Sequence, residues 1–306
     1  MKSASSQFLG LEPEFTAFDR AAIAILPVPY EGGVSFGKGA AEGPDAIIQA
    51  SQYLELYDEI LQAEPFRMGI TTVNPPNIGL DPERVQNEIY RSSRALREAG
   101  KFIVLLGGDH SISTGLVKAL KQETDPLAVI QLDAHTDLRD SYEGSRLSHA
   151  CVMSRVRELT PYTLQIGIRS MSAAEANRIA EQQLPVCTMD AFRRRTFDLK
   201  AALRALPDTV YLSLDVDVFD WSVVRSTGTP EPGGLQWDEA MTLLHHIFFT
   251  KNVIGFDVVE LAHEPGDMNS PFAVAKLIYK MLGFKLAAAV NQGLTDWPHK
   301  PGGNLF

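Results

Sequence analysis

Three short polar runs hold most of the residues able to do chemistry. They are GGDHS at 107–111, DAHTD at 133–137 and DVD at 215–217. Asp133, His135 and Asp137 are spaced by two, and Asp215 and Asp217 repeat that spacing. In an extended segment, residues two apart point to the same face. Taken singly, each run reads as a capped turn or a solvated loop, and His110 as a structural histidine. Together, carboxylates gathered in one partly buried cleft would repel one another. Divalent cations remove that repulsion, and four carboxylates balance two such ions. A donor set of hard oxygen with some imidazole favours manganese. Carboxylates that bridge two ions hold them roughly 3.5–4 Å apart, as in two-metal hydrolases.

Each polar run begins where an apolar run ends. Strands are expected at 21–28, 102–106, 127–132, 163–168, 209–214 and 253–259, with weaker candidates at 68–73 and 185–188. Several are almost continuously apolar, as in parallel strands covered on both faces. Helices are expected between them. One is capped by Asp81, opens with Pro82 and closes at Gly100, with Val85, Ile89 and Leu96 as its apolar stripe. Others are expected at 113–121, 173–182, 237–246 and 271–282. This alternation predicts an α/β fold with a parallel sheet between helices. In such sheets the chemistry lies in loops at the carboxyl ends of the strands, where the three polar runs fall. No internal repeat or linker is visible, so one domain over 1–306 is the expectation.

Composition excludes other classes. The net charge is −10, which lacks the basic footprint of a nucleic-acid binder. Arg193, Arg194 and Arg195 form the one dense basic run, read as solvated surface. No apolar stretch is long enough for a membrane span, and the first twenty residues lack the apolar core of a signal peptide. Cys151 and Cys187 are too few for a disulfide framework and read as buried small hydrophobes. A cytoplasmic protein is expected.

The motifs resemble those of the arginase/agmatinase family, the ureohydrolases. GGDHS, DAHTD and SLDVD at 213–217 are similar to its three signatures. PVPYEGG at 27–33, GPDAI at 43–47, TGTPEPGG at 227–234 and DVVE at 257–260 match further segments in family order. The resemblance runs from about residue 20 to about residue 285. It implies a three-layer α/β/α fold with a mainly parallel eight-stranded sheet, assembled as trimers or hexamers. It implies that His110, Asp133, Asp137 and Asp215 bind one metal and that Asp133, His135, Asp215 and Asp217 bind the other, with Asp133 and Asp215 bridging. Glu260 would pair with the substrate guanidinium, Asp137 would relay a proton, and His149 would shuttle it to solvent. The alternative for His149 is to cap the helix that follows it. Two segments depart from the family pattern: Asp220-Trp221 where relatives have Asp-Pro, and Arg225-Ser226 where they have Pro-Gly.

A ureohydrolase splits a guanidino group into urea and an amine. The loop at 138–144 should read the rest of the substrate, and Arg139 stands where an arginine-reading enzyme has asparagine. Asp140 and Glu143 suit a distal ammonium, as in agmatine or N1-aminopropylagmatine, whereas Arg139 suits a carboxylate, as in 4-guanidinobutyrate. Agmatine ranks first, aminopropylagmatine second and guanidino acids third. Outside this class stand a metal-dependent phosphoesterase, which wants more basic residues beside the metals, and a ureohydrolase-like binding protein without turnover.

Overall fold

The computed structural model describes residues 3–33 and 35–291. Eight strands form one sheet: β1 (Ile23–Val28), β2 (Ile70–Thr72), β3 (Phe102–Gly107), β4 (Ala128–Leu132), β5 (Thr163–Ile168), β6 (Val186–Thr188), β7 (Thr209–Asp215) and β8 (Asn252–Val259). Their order is β2-β1-β3-β8-β7-β4-β5-β6, and every pairing is parallel. All eight expected strands are present, with ends shifted by a residue or two. Ten helices are described: α1 (Pro13–Thr16), α2 (Gly43–Ser51), α3 (Pro82–Glu98), α4 (Ser113–Glu123), α5 (Val152–Leu159), α6 (Ala173–Gln182), α7 (Met189–Arg194), α8 (Leu199–Ala205), α9 (Trp237–Thr250) and α10 (Asn269–Asn291).

The strands are apolar on both faces because helices cover both. Ile23, Ile25, Val104 and Leu106 face a core shared with Ile47 of α2, Phe248 of α9 and Leu277 of α10. The alternate residues Ala24, Leu26, Ile103 and Leu105 face a second core, with Ile89 of α3, Leu116 of α4 and Val152 of α5. This period-two division produces the three-layer α/β/α architecture.

The Asp81 side chain accepts the Arg84 N–H and Pro82 occupies the first turn of α3, as its sequence predicts. By contrast, α10 runs well past the expected stop near 282, through Gly283. A Cβ at that glycine would lie 2.6 Å from Leu61 Cδ1, so the residue permits close packing rather than ending the helix. The helices α1, α2, α7 and α8 were not expected, and all are short; α5, the helix after His149, buries the polar Ser154 and Arg155.

Chain order and sheet order differ in a way that builds a crevice. After β3 the chain jumps to β4 and moves outward to β6. It then returns to lay β7 and β8 between β4 and β3. Strand order thus reverses at the centre, where parallel sheets open a crevice at their carboxyl ends. The four central strands β3, β8, β7 and β4 lead directly to His110, Glu260, Asp215–Asp217 and Asp133–Asp137.

Candidate metal centre

The tight turn after β3 places His110. Gly108 is required there because a Cβ would lie 1.7 Å from the Tyr30 carbonyl oxygen. Asp109 holds the turn: its Oδ2 accepts the N–H groups of Gly32 and Gly33, each at 2.9 Å, and its Oδ1 accepts that of Ser111 at 3.0 Å. It therefore serves the loop.

His110 is buried, and its Nδ1 faces Oδ2 of Asp133 at 3.1 Å, of Asp137 at 3.1 Å and of Asp215 at 3.4 Å. It is shared among three oxygens with no well-aligned hydrogen bond to any. The other ring nitrogen, Nε2, lies 2.8 Å from Ser213 Oγ, which donates to Asp257 Oδ1 at 2.9 Å. With Nε2 carrying the proton toward Ser213, the Nδ1 lone pair points into the carboxylates. That is repulsive without a cation and is the arrangement a metal ligand requires.

The carboxylates are splayed in the same sense. Asp215 Oδ1 accepts the Asp217 N–H at 2.9 Å, leaving Oδ2 turned to His110. Asp217 Oδ1 accepts the Ala134 N–H at 2.9 Å, while its Oδ2 lies 2.8 Å from His135 Nδ1. Asp133 Oδ2 accepts from Gln131 Nε2 at 2.6 Å. Two triads emerge, His110–Asp133–Asp137 and Asp133–His135–Asp217, each with donor atoms within 4.8 Å of one another and sharing Asp133. Asp215 reaches the first triad through His110. All six expected ligand residues therefore meet at one place.

The electrostatics show what this arrangement favours. Burial, then the charges of Asp137 and Asp217, pushes Asp133 well above the usual carboxylate range. Burial, then Asp217 and Asp133, does the same to Asp215. His110 is raised well above its ordinary value: burial opposes its charge, but Asp133, Asp137 and Asp215 outweigh it. For His135 burial is likewise outweighed, by Asp217 first, and its pKa reaches about 10. Without a cation the cluster can only relieve repulsion by taking up protons. The residues present fit two divalent ions.

Glu260 follows β8 and is buried with a positive φ of 65°. Its Oε1 accepts the His110 N–H at 2.7 Å. Burial, then Asp215 and Asp109, lifts its pKa well above normal, so a cationic partner would be favourable there. Asp137 also has a positive φ, 51°. Of the seven non-glycine residues with positive φ among the described residues, these two line the cavity, where the surrounding fold holds them in a sparsely populated conformation.

A cavity of about 280 Å³ opens above the cluster, lined by His110, His135, Asp137, His149, Asp215 and Glu260 among others. His149 is half-buried at its wall, its ring 5.7 Å from that of Tyr142 in an edge-on contact. Its side chain caps neither the 3-10 turn His149–Cys151 nor α5, so the capping alternative is not observed. Arg139 lines the cavity with its guanidinium 5.2 Å from the Tyr142 ring centre.

Several expectations need correction. Asp140 and Glu143 do not line the cavity. Asp140 is engaged by Arg146 and Arg155, each at 2.6 Å, and Glu143 sits at a turn tip with φ 49°. Arg193 is not merely solvated: it donates to the carbonyls of Gly233 at 3.1 Å and Gly234 at 2.7 Å. Of the departing segments, Arg225 lies 3.3 Å from Glu264, and Ser226 donates to Asp267 at 2.5 Å, tying this loop to the one after Glu260. Trp221 is half exposed.

Other residues were missed. Arg169 donates to the carbonyls of Asp217 at 2.6 Å, Glu231 at 2.7 Å and Pro232 at 3.1 Å, knitting the metal loop to the TGTPEPGG segment. Glu175 accepts from Thr136 Oγ1 at 2.7 Å and the Leu138 N–H at 3.0 Å, fixing the DAHTD loop. Gln131, a buried amide in the middle of an apolar strand, is the one with a sequence signal.

The arginase family model matches residues 21–283. The chain belongs to the arginase family. Within it, the chain is 40% identical over 290 residues to the N(1)-aminopropylagmatine ureohydrolase of Synechocystis, covering 92% of this chain and 94% of that one. It is 33% identical over 267 residues to the agmatinase of Pyrococcus horikoshii, covering 85% and 90%. The crystal structure of the agmatine ureohydrolase of Thermoplasma volcanium superposes with a TM-score of 0.84 at 25% identity, covering 94% of this chain and 97% of that one. Among the described residues, no helix of this arginase-family chain is long and apolar enough to cross a membrane.

Proposed function

We propose that the chain is a dinuclear ureohydrolase, hydrolysing the guanidino group of an amine-tailed guanidine to urea and a polyamine. The observation that carries this reading is the buried His110 Nδ1 turned into three carboxylate oxygens, with Glu260 hydrogen-bonded to the same residue's backbone. His110, Asp133, Asp137 and Asp215 would hold one ion, and Asp133, His135, Asp215 and Asp217 the other. Bound there, two divalent ions, manganese by the donor set, would supply the Lewis acidity that makes water a nucleophile near neutral pH.

The chain's own residues do the rest. A guanidinium stays protonated and its charge is delocalised, so its carbon is a poor electrophile that must be held firmly in place. Glu260 accepts the guanidinium N–H groups and fixes that carbon above the cluster. Asp137, aimed into the cavity, takes up a proton from the attacking water. His149, at the wall and partly in contact with solvent, delivers a proton to the departing amine.

Agmatine and N1-aminopropylagmatine are the two candidate substrates. The sequence ranks agmatine first, and the names of the similar Synechocystis and Thermus thermophilus proteins add weight to the longer amine. We also read residues 1–306 as one domain, cytoplasmic and homo-oligomeric, a trimer or hexamer. Urea release with manganese, compared across agmatine, aminopropylagmatine, 4-guanidinobutyrate and arginine, tests the assignment. The two amines are expected to give the highest kcat/KM. If arginine or guanidinobutyrate leads, the amine assignment fails; urea from none of them removes the ureohydrolase reading.

A further inference from the structure

Once the guanidinium lies on Glu260, the amine end of the substrate still needs an anionic partner. The carboxylates that line the cavity are committed. Asp137, Asp215 and Asp217 belong to the metal cluster. Glu175 is buried with both oxygens occupied: Oε1 by Thr136 Oγ1 at 2.7 Å and the Leu138 N–H at 3.0 Å, Oε2 by the N–H and Oγ of Ser172 at 2.8 and 2.7 Å. Arg139 makes its own part of the wall positive.

Glu231 remains. Its side chain is one-third exposed, and its Oε1 lies 3.8 Å from Nε2 of the cavity-lining His135. That distance is too long for a hydrogen bond, and no hydrogen bond to the Glu231 carboxylate occurs among the described residues. Its backbone, however, is rigidly set. Prolines 230 and 232 flank it and fix their own φ angles. Arg169 grips the Glu231 carbonyl at 2.7 Å with the same nitrogen that holds the Asp217 carbonyl at 2.6 Å. A carboxylate whose one ion-pair partner among the described residues is His135, at 3.8 Å, is thus held in register with a proposed metal ligand, two residues from Thr229, which lines the cavity. A charge fixed in advance binds its counterion with little ordering cost.

We propose that Glu231 reads the ammonium end of the substrate and so selects amine-tailed guanidines, with Arg139 repelling that end from its own wall. This inference rests on the ureohydrolase reading above.

The test compares agmatine with n-butylguanidine, which has the same reactive head and carbon chain but no ammonium. The manganese-loaded protein is used, and metal content is measured in parallel. Glu231→Gln should lower the ratio of kcat/KM for agmatine to that for n-butylguanidine at least tenfold, mainly through KM for agmatine, with metal content retained. Glu231→Asp should recover part of the ratio. A ratio within twofold of wild type overturns the proposal. So does an equal loss on both guanidines accompanied by weaker metal binding, which would mean that Glu231 acts through His135. If the wild-type protein releases urea from neither compound, the function assignment falls and this inference with it, an outcome distinct from an unchanged ratio.

Discussion

Glu260 Oε1 accepts the backbone N–H of His110 at 2.7 Å, joining residues 150 positions apart in the chain. The proposed guanidinium anchor is thereby registered to a proposed metal ligand through main chain rather than through a mobile side chain. Substrate carbon and metal cluster are positioned by one hydrogen bond, and a glutamine can still accept it.

Glu260→Gln should therefore keep fold and metal content while losing the charge partner of the guanidinium. Truncating one partner of a buried charged pair costs about 2–5 kcal/mol, roughly 30- to 4,000-fold in kcat/KM. Steady-state kinetics alongside metal analysis check this. An unchanged kcat/KM would remove Glu260 from the site.

Asp215→Ala removes the carboxylate expected to bridge both ions. Manganese-reconstituted wild type should hold two equivalents per chain, the variant one or fewer, and urea release should vanish. Circular dichroism should change little, because the cluster lies at strand ends rather than in either apolar core. Activity within tenfold of wild type would show that the bridge is misassigned.

Ser213→Ala breaks the chain from His110 Nε2 to Asp257 without touching a ligand. Outer-shell partners of this kind fix the tautomer and orientation of a metal-binding imidazole, and their loss weakens metal binding about 10- to 100-fold. Competition against a chelator reads this directly. Affinity equal to wild type would mean that the hydroxyl does not set the His110 tautomer.

The pH dependence of the metal-free protein follows from the cluster. Asp133, Asp215, His110 and His135 all have raised values, so the folded chain binds more protons than the unfolded one. Their stabilisation is present at low pH and is lost as pH rises; for His135 the loss runs from its ordinary value up through about 10. Burial opposes the charge of Asp217, but His135, the Ala134 N–H and Arg169 together outweigh it and lower its pKa, so its contribution is lost only in acid. Chelator-treated protein should therefore melt at progressively lower temperature from about pH 6 to about pH 9. Manganese should reverse the trend, since its ligands bind deprotonated. A metal-free Tm that rises over this window would sink the account.

The candidate ligand cluster was legible in the sequence because two signals coincide in it: an apolar run that marks a buried strand, and polar residues at period two immediately after it. Glu260 was reached through the DVVE motif at the end of another such run. The supporting residues were not legible for a physical reason. Arg169 acts on carbonyls, which every residue possesses, in segments about 50 and 60 positions away. Glu175 acts through one hydroxyl and one amide of a distant loop. Asp140 and Glu143 were misread because charge and proximity in sequence do not reveal which way a turn points. The length of α10 was hidden by Gly283, whose packing against Leu61 depends on a contact between remote segments.

The return of β7 and β8 into the gap between β4 and β3 has a consequence for how the protein comes into being. His110 and Asp133 are made early, Asp215 and Glu260 late; pairing of β7 with β4 brings Asp215 beside Asp133, and seating of β8 against β3 brings Glu260 to His110. A growing chain therefore carries no finished catalytic pocket until its last strand has left the ribosome. Ions bound to both groups would clasp the early and late parts of the polypeptide together, adding a cross-link that the two unpaired cysteines do not provide. A metal pair held by these residues would close the same seam that the proposed chemistry uses.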